Sequence, residues 1–232
     1  FLPRTAMLYD GRFGFVSYLD PEASGARKTD SHPIRTRLGV NGHFTQSFGL
    51  LAMVGWGASF YDGYPQPEIQ TQDFDSVIGQ VEVKWYIDPV PEGDPMKTSG
   101  SLSGLSLGFI RDFEDAFIGT YLERDYGYAK FDYLFGGRFL LVVQAQGGAV
   151  VFPTLEPSLV FQANNADGWT DIRIDGNLFG EYRFTDWLGV NADIKYQGYL
   201  SDTQLNPPGN VVTPDFLAYQ IVTAFLGVRA FL

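Results

Sequence analysis

Few side chains in this chain could carry catalytic chemistry. There are two histidines, His32 and His43, and no cysteine, which excludes disulfides and thiolate metal sites. A histidine that acts as a general base needs a nucleophile and an orienting group beside it. Asp30 is close to His32 in the sequence, but no second partner can be assigned, and no serine pairs with His43. We therefore predict no enzymatic activity and no cofactor.

A second group of candidate ligands is a run of carboxylates, which contains Asp112, Glu114, Asp115, Glu123 and Asp125. Carboxylate oxygens are ligands for Ca²⁺ and Mg²⁺. The spacing matches no defined calcium loop, so a solvated acidic surface is the preferred interpretation and no metal site is predicted. The net charge of −11 also argues against nucleic acid as a partner, because nucleic-acid binding needs a basic patch.

The elements that must position the charged residues follow a pattern with a period of two. In Trp169–Phe184 the odd-numbered positions include Asp171 and Arg173, whereas the even-numbered positions include Ile172 and Ile174. Successive side chains of a strand point to opposite faces. This segment therefore predicts a strand with one charged face and one apolar face.

The same alternation recurs along the whole chain. At membrane depth the apolar positions carry no Asp, Glu, Lys or Arg, as expected of a lipid-facing surface, where Arg or Lys costs about 2–4 kcal/mol. Several segments reach 11–16 residues, and a tilted strand needs roughly 9–11 to cross a membrane. The predicted strands are Arg12–Leu19, Arg35–Thr45, Phe48–Tyr61, Asp75–Ile87, Leu102–Arg111, Tyr126–Phe135, Arg138–Val150, Trp169–Phe184, Leu188–Tyr199 and Phe216–Leu232.

These strands predict an all-β fold in a single domain over residues 1–232. The domain is a transmembrane, antiparallel, up-and-down β-barrel of about ten strands. Two further segments, Ala116–Glu123 and Ser158–Ala163, would raise the number to twelve if each formed a separate strand. We prefer ten, because that number keeps all the short aromatic turns on one side.

The connections predict a direction. Phe44–Phe48, Phe135–Phe139 and Phe184–Trp187 are tight turns between aromatic residues, and a fourth connection on the same side, Asp88–Ser101, is longer. Outer-membrane barrels have short periplasmic turns and longer extracellular loops, so we expect both termini to be periplasmic. The predicted outer loops are Asp20–Ile34, Asp62–Asp73, Asp112–Asp125, Phe152–Gly168 and Ser201–Pro214.

The end of the chain, Phe225–Leu232, places a glycine before alternating hydrophobic residues and finishes on an apolar one. It resembles the C-terminal assembly signal of bacterial outer-membrane proteins. Phe184–Gly189 and Lys84–Asp88 also resemble segments of small outer-membrane barrels. The resemblance implies a location in the bacterial outer membrane and contact with its lipid and lipopolysaccharide. It also implies contact with the outer-membrane assembly machinery through the C-terminal strand.

The polar positions of the predicted strands would face the interior of the barrel. A ten-stranded barrel is only slightly wider than the eight-stranded kind that side chains fill, so we predict a network of paired charges that plugs the interior. It comprises ten bases and six acids, namely Arg12, Arg35, Arg37, Lys84, Lys130, Arg138, Arg173, Arg183, Lys195 and Arg229 with Glu82, Asp132, Asp171, Asp175, Glu181 and Asp193.

The predicted function is that of a structural barrel, a scaffold that anchors or organises an envelope assembly through envelope protein partners. Two alternatives stay open. The excess of Arg and Lys inside would suit a small passive channel with a weak anion preference. The acidic extracellular loops would suit a surface receptor or adhesin, because loops on a rigid scaffold often carry function.

Overall fold

The computed structural model describes residues 5–18, 29–63, 71–87, 103–116, 120–154, 162–163, 168–185, 187–206 and 215–230. Ten long strands form one sheet, and each pairs antiparallel with the next long strand along the chain. They are β1 (Thr5–Phe13), β2 (Ser31–His43), β3 (Phe48–Tyr61), β4 (Phe74–Tyr86), β5 (Gly104–Asp115), β6 (Tyr121–Phe135), β7 (Phe139–Phe152), β8 (Trp169–Arg183), β9 (Leu188–Leu200) and β10 (Tyr219–Ala230).

The predicted ten antiparallel up-and-down strands are confirmed, and β3 has the predicted bounds. The sheet is not closed into a ring, because β1 and β10 are its two edges and do not pair with each other in the described residues. Gln162–Ala163, within the predicted twelfth strand, instead joins Gln204–Asn206 and Asp215–Phe216 in a separate three-stranded sheet. No helix in the described part of the chain is long and apolar enough to cross a membrane.

The first strand begins earlier than predicted, at Thr5 rather than Arg12. Its ladder with β2 continues past its end, since the Gly14 amide donates to the Pro33 carbonyl at 2.9 Å and Val16 forms a bridge with Ser31. The predicted segment Arg12–Leu19 therefore contains only the second half of an alternating segment that begins at Thr5.

The predicted loop Asp112–Asp125 is wrong in its bounds. β5 extends to Asp115 and β6 begins at Tyr121, so these two strands make a long hairpin. Of the segment predicted as an additional strand, Ala116–Glu123, the part from Tyr121 belongs to β6, and residues 117–119 lie outside the described residues. The predicted connection Asp88–Ser101 lies outside the described residues.

The two ends of the sheet differ. Connections 44–47, 136–138 and 184–187 lie at one end, here named the turn end, together with the start of β1 and the end of β10. The opposite end, here named the loop end, carries connections 14–30, 62–73, 153–168 and 201–218. This arrangement of turns and termini is the predicted one; its orientation in a membrane remains a prediction.

The turn between β6 and β7 requires glycine. Gly136 and Gly137 have φ values of 54° and 69°, and the Arg138 amide donates to the Phe135 carbonyl at 3.1 Å. Positive φ at both central residues is the geometry of a type I′ turn, whose twist matches that of the adjoining strands.

We expect Gly137→Val to lower the free energy of unfolding by about 1–2 kcal/mol, because a left-handed backbone brings the added Cβ against the following carbonyl. Urea titration monitored by tryptophan fluorescence measures the change. Gly63→Val is the matched control, since an added Cβ at Gly63 meets no atom within 4 Å and an exposed substitution of this kind changes stability by less than about 0.5 kcal/mol. Equal effects of the two variants would contradict the turn assignment.

Alternate side chains give the sheet two unlike faces. On β8 the apolar face carries Ile172, Ile174 and Leu178, all exposed, and the polar face carries Asp171 and Glu181, both buried. The same division by parity holds along the other strands except near the tip of the β5–β6 hairpin, and exposure on the apolar face reaches 87% at Leu226. The sheet therefore places most of its charged side chains on one face and exposes its apolar side chains on the other.

The buried apolar residues lie at the loop end and not between two layers. Phe74, Ile78 and Phe113 form one cluster, in which the rings of Phe74 and Phe113 stack at 4.1 Å. The second cluster joins β6, β7 and β8 and consists of Ala116, Tyr126, Val150, Phe152 and Trp169. Phe74, Ile78, Tyr126, Val150, Phe152 and Trp169 share the parity of the polar face, so apolar packing fills that face above the charged residues.

Candidate functional site

The predicted interior residues all lie on the polar face, except that Arg138 lies in the turn between β6 and β7. They fall into several groups of contacts, which differ in burial. Arg138 is exposed, and its side chain has no ion pair or hydrogen bond with any described residue.

Three residues at the β1 edge form the first group. Asp10 accepts from Arg37 at 2.5 Å and from Arg12 at 3.0 Å. Arg37 is buried, whereas Arg12 is mostly exposed. Asp10 was absent from the predicted network, although it lies two positions before Arg12 on the same face. An earlier start of the first strand would have included it.

The second group spans the polar face between strands that are not neighbours. Arg35 on β2 donates to Asp112 on β5 at 2.9 Å, and its guanidinium lies 4.0 Å from the centre of the Phe113 ring. It also donates to the Phe113 carbonyl. Strands β3 and β4 separate these residues in the sheet, so the contact requires the sheet to curve toward its polar face.

The same crossing is repeated closer to the loop end. Asp115 on β5 accepts from the Tyr61 hydroxyl at 2.7 Å and from the Ser31 hydroxyl at 2.9 Å. Ser31 is fully buried and Tyr61 nearly so. Three separate strands thus meet at one carboxylate.

A third group lies nearer the turn end. The Tyr128 hydroxyl on β6 donates to Glu82 on β4 at 2.5 Å. Lys84 lies 5.2 Å from the centre of the Tyr86 ring, and His43 stacks on the same ring at 4.9 Å. His43 is therefore a packing residue on the polar face. Lys130 and Asp132 pair with each other at 3.5 Å.

The fourth group occupies β8, β9 and β10. Glu181 is fully buried and accepts from Arg183 at 3.0 Å and from Arg229 at 2.8 Å. Asp171, also buried, accepts from the Trp169 indole and the Tyr199 hydroxyl, both at 2.8 Å. Arg173 pairs with Asp175 at 3.0 Å and Lys195 pairs with Asp193 at 3.2 Å.

Three of the acidic residues expected on a solvated surface, Glu114, Glu123 and Asp125, instead contact arginines that the predicted network did not include. Arg111 contacts Glu123, and it reaches Asp125 at 3.2 Å. Arg124 pairs with Glu114 at 2.7 Å. The described residues contain no group of three or more His, Asp or Glu that could hold a metal ion.

Arg111, Glu123 and Asp125 have the parity of the apolar face, near the loop end of the sheet. Charges on that parity had been expected only in loops, and this expectation is wrong for the β5–β6 hairpin. Arg111 contacts both acids from the neighbouring strand, which compensates part of their charge.

A polar cavity of about 210 Å³ lies midway along β7, β8 and β9. Its walls include the carboxamides of Gln144, Gln146 and Asn177 and the cations of Arg173 and Lys195. The carboxamide oxygen of Asn177 is buried without a hydrogen-bond partner among the described residues. The space is large enough for several water molecules or a small hydrated ion.

His32 lies in β2 on the apolar parity and packs edge-on against Phe15 at 5.4 Å. The neighbouring Asp30 accepts from the Tyr18 amide at 2.9 Å and from the Ser17 hydroxyl at 2.8 Å. These two hydrogen bonds, the amide first, hold the pKa of Asp30 below its usual value of 3.8. Asp30 thus holds the two ends of the β1–β2 connection together.

We expect this fixation to weaken in acid. A carboxyl group whose pKa is lowered by folding stabilises the structure above its ordinary pKa, and this contribution disappears as the pH falls through the lowered value. Hydrogen exchange of the Tyr18 amide, corrected for intrinsic rate, should therefore accelerate below about pH 4. Asp30→Asn should remove most of this pH dependence. Identical profiles for the two proteins would contradict the role of Asp30.

No protein-family model matches this chain, and no curated protein matches it. The basis for a function is consequently the arrangement of charge and apolar surface described above. Two features of that arrangement could not be predicted from the alternation of apolar and charged residues. The contacts of Arg35 across the polar face depend on the curvature of the sheet, and the burial of Glu181 depends on packing between strands.

Proposed function

We propose that this chain forms a β-barrel embedded in a bacterial outer membrane, with its apolar face against lipid and its polar face inside. The observation that carries the proposal is the unlike exposure of the two faces. Val54, Val77 and Leu226 are 63%, 60% and 87% exposed. A contiguous apolar surface of this extent on a soluble monomer is rare and marks contact with another apolar phase.

The distribution of aromatic residues supports a membrane as that phase. Phe48, Trp85 and Tyr182 are exposed on the apolar face toward the turn end, and Trp56 and Phe60 are exposed on the same face toward the loop end. Transmembrane barrels carry an apolar band about 25 Å tall between two aromatic girdles. Arg111 contacts Glu123 and Asp125 near the loop end, and this position suits the outer of these two interfaces, where water can solvate the charges.

Within the barrel we infer a structural role, in which the protein is a scaffold that anchors or organises an envelope assembly. The contacts of Arg35 and Asp115 across the polar face, and the two apolar clusters at the loop end, support an interior largely filled by side chains. Lipid and lipopolysaccharide surround the apolar face, envelope proteins are the partners, and the C-terminal strand is the segment presented to the assembly machinery.

A small channel with a weak anion preference is the second candidate. The cavity beside Arg173 and Lys195 favours it, because that part of the polar face holds space and its lining, with Asp175 included, carries an excess of one positive charge. The receptor hypothesis depends on the acidic outer loops, of which a large part lies outside the described residues, and no contact among the described residues favours it.

Reconstitution tests these proposals. The purified protein, refolded with phosphatidylcholine vesicles, should float with the lipid in a density gradient and stay bound at high pH. In planar bilayers it should give no steady conductance steps. Recovery of the folded protein in the lipid-free fraction would contradict the membrane proposal. Steady steps would contradict the filled interior and support the channel, and reversal-potential measurements in a salt gradient would then report its ion preference.

A further inference from the structure

The sheet has two free edges, and the residues along them determine how they can meet. The outer sides of β1 and β10 have no strand partner among the described residues. Unpaired strand edges are sites of association with another strand. We propose that β10 pairs antiparallel with β1 of the same chain, in the register that places Arg229 opposite Asp10; this inference rests on the proposed barrel.

The observed ladders limit the register of this seam. A line drawn across the sheet through paired residues starts at Thr5 and ends at Val222 on β10. Between them it passes through Gly42, Leu50, Val83, Leu107, Ala129, Ala145, Gly176 and Tyr196. In a closed barrel this line returns to β1 displaced along the strand, and the displacement determines the strand tilt.

The tilt restricts the displacement to a few values. Ten strands about 4.8 Å apart give a circumference of about 48 Å, and a displacement of about twelve residues at 3.3 Å each is about 40 Å. The displacement divided by the circumference is the tangent of the angle between strands and barrel axis, which gives a tilt of about 40°, in the middle of the usual range of 35–45°. Displacements of about ten and fourteen residues give about 35° and 44°, and a displacement of about eight gives 29°, which is too small.

The side chains select among the remaining values. With a displacement of about twelve residues, Val222 lies opposite Ser17, and Arg229 lies directly opposite Asp10. With about ten residues Arg229 would face Leu8, and with about fourteen it would face Arg12. Opposite charges directly across an antiparallel pair are stabilising and like charges are destabilising. The charge pattern therefore favours the middle register.

The backbone and the apolar face agree with this register. Phe13 lies opposite Leu226, and both are exposed on the apolar face. The ladder of β1 with β2 continues to Val16, so the seam can extend to Val16 opposite Thr223. Because the parities match, no residue of the polar face is turned toward lipid at the seam.

Closure in this register joins two groups of ion pairs. Asp10 already contacts Arg37, and Arg229 already contacts Glu181. The seam brings Arg229 to Asp10, so that Glu181, Arg229, Asp10 and Arg37 alternate in charge around the barrel from β8 to β2. Arg229 is 51% exposed in the open sheet, and the seam covers it.

Cysteine cross-linking tests the register, and the chain has no cysteine of its own to compete. Phe13→Cys is combined in turn with Ala224→Cys, Leu226→Cys and Val228→Cys in protein folded into phosphatidylcholine vesicles, with each single variant as control. We expect an intramolecular disulfide to form in the Leu226→Cys pair at least about 10-fold faster than in the other two pairs, because only direct neighbours meet disulfide geometry. Gel mobility and mass spectrometry identify the bond.

Each other outcome overturns the proposal. Faster reaction with Ala224→Cys or Val228→Cys means a different register, and predominant disulfide-linked dimers mean that the edges pair between copies. Absence of cross-linking in all three pairs means that the edges stay apart. Flotation of the same samples separates this inference from the proposed function. Protein that floats but cross-links elsewhere refutes the seam alone, whereas protein that does not float refutes the membrane location.

Discussion

Replacing Val143 with arginine is expected to lower the free energy of unfolding of the protein in a bilayer by about 2–4 kcal/mol. Val143 lies near the middle of β7 on the apolar face and is exposed. In a membrane its replacement places a guanidinium among acyl chains, where no water solvates it. On the surface of a soluble sheet the same change would be nearly neutral, so the size of the effect separates the two environments.

The adjacent residue provides the matched control. Gln144 points to the polar face and lines the cavity that also contains Arg173 and Asp175, so we expect Gln144→Arg to cost less than about 1 kcal/mol. Urea titration of reversible folding into phosphatidylcholine vesicles measures both variants. A cost for Val143→Arg no larger than that of Gln144→Arg would mean that the apolar face does not contact lipid.

The second large effect is expected at the contact that spans the polar face. Arg35→Met should lower the free energy of unfolding by about 2–3 kcal/mol, because it leaves the carboxylate of Asp112 partly buried without its cation. The two side chains are 20% and 19% exposed. Methionine also removes the guanidinium from the Phe113 ring and from the Phe113 carbonyl, so the total loss includes these two contacts.

A double-mutant cycle isolates this interaction. Combining Arg35→Met with Asp112→Asn should give a coupling energy of about 1–3 kcal/mol. The pair of Arg12 and Asp10 is the control, because Arg12 is 67% exposed and such pairs couple by less than about 1 kcal/mol. A coupling between Arg35 and Asp112 as weak as that of the control would contradict a curved sheet with a closely packed interior.

The strands could largely be predicted from the sequence because their signal is local. Alternation of apolar and charged residues needs only neighbours in the chain, and it identified Phe48–Tyr61 and nine other segments that overlap the observed strands. The tight turn Phe135–Phe139 was predicted for an equally local reason, the short connection between two aromatic residues, and its two glycines have the positive φ that such a turn needs.

Prediction failed where the alternation stops separating charged from apolar residues. In the β5–β6 hairpin, Arg111, Glu123 and Asp125 occupy apolar positions, and Arg111 compensates part of the acidic charge through contacts between the two strands. Which carboxylate meets which arginine depends on the register of the hairpin. The segment was therefore read as a loop.

The candidate site could be predicted only as a set of residues on one face. Asp171 and Arg173 could be placed there by parity, but the burial of Asp171 under Trp169 and Tyr199 also depends on the register between β8 and β9. The meeting of Arg35 with Asp112 depends on the curvature of the sheet across two intervening strands. The pairing of the two edges cannot be predicted from alternation either, because it depends on the registers of all the strand pairs together.

The central claim is that the sheet crosses a bilayer with its apolar face in lipid. A nitroxide scan along β8 from Ile172 to Tyr182, made by single cysteine substitution in protein folded into vesicles, tests it most directly. We predict that collision rates with oxygen, which concentrates in the hydrocarbon, rise and fall with a period of two and are highest at Ile174 and Leu178. Uniform rates, or maxima at Arg173 and Asn177, would contradict the account.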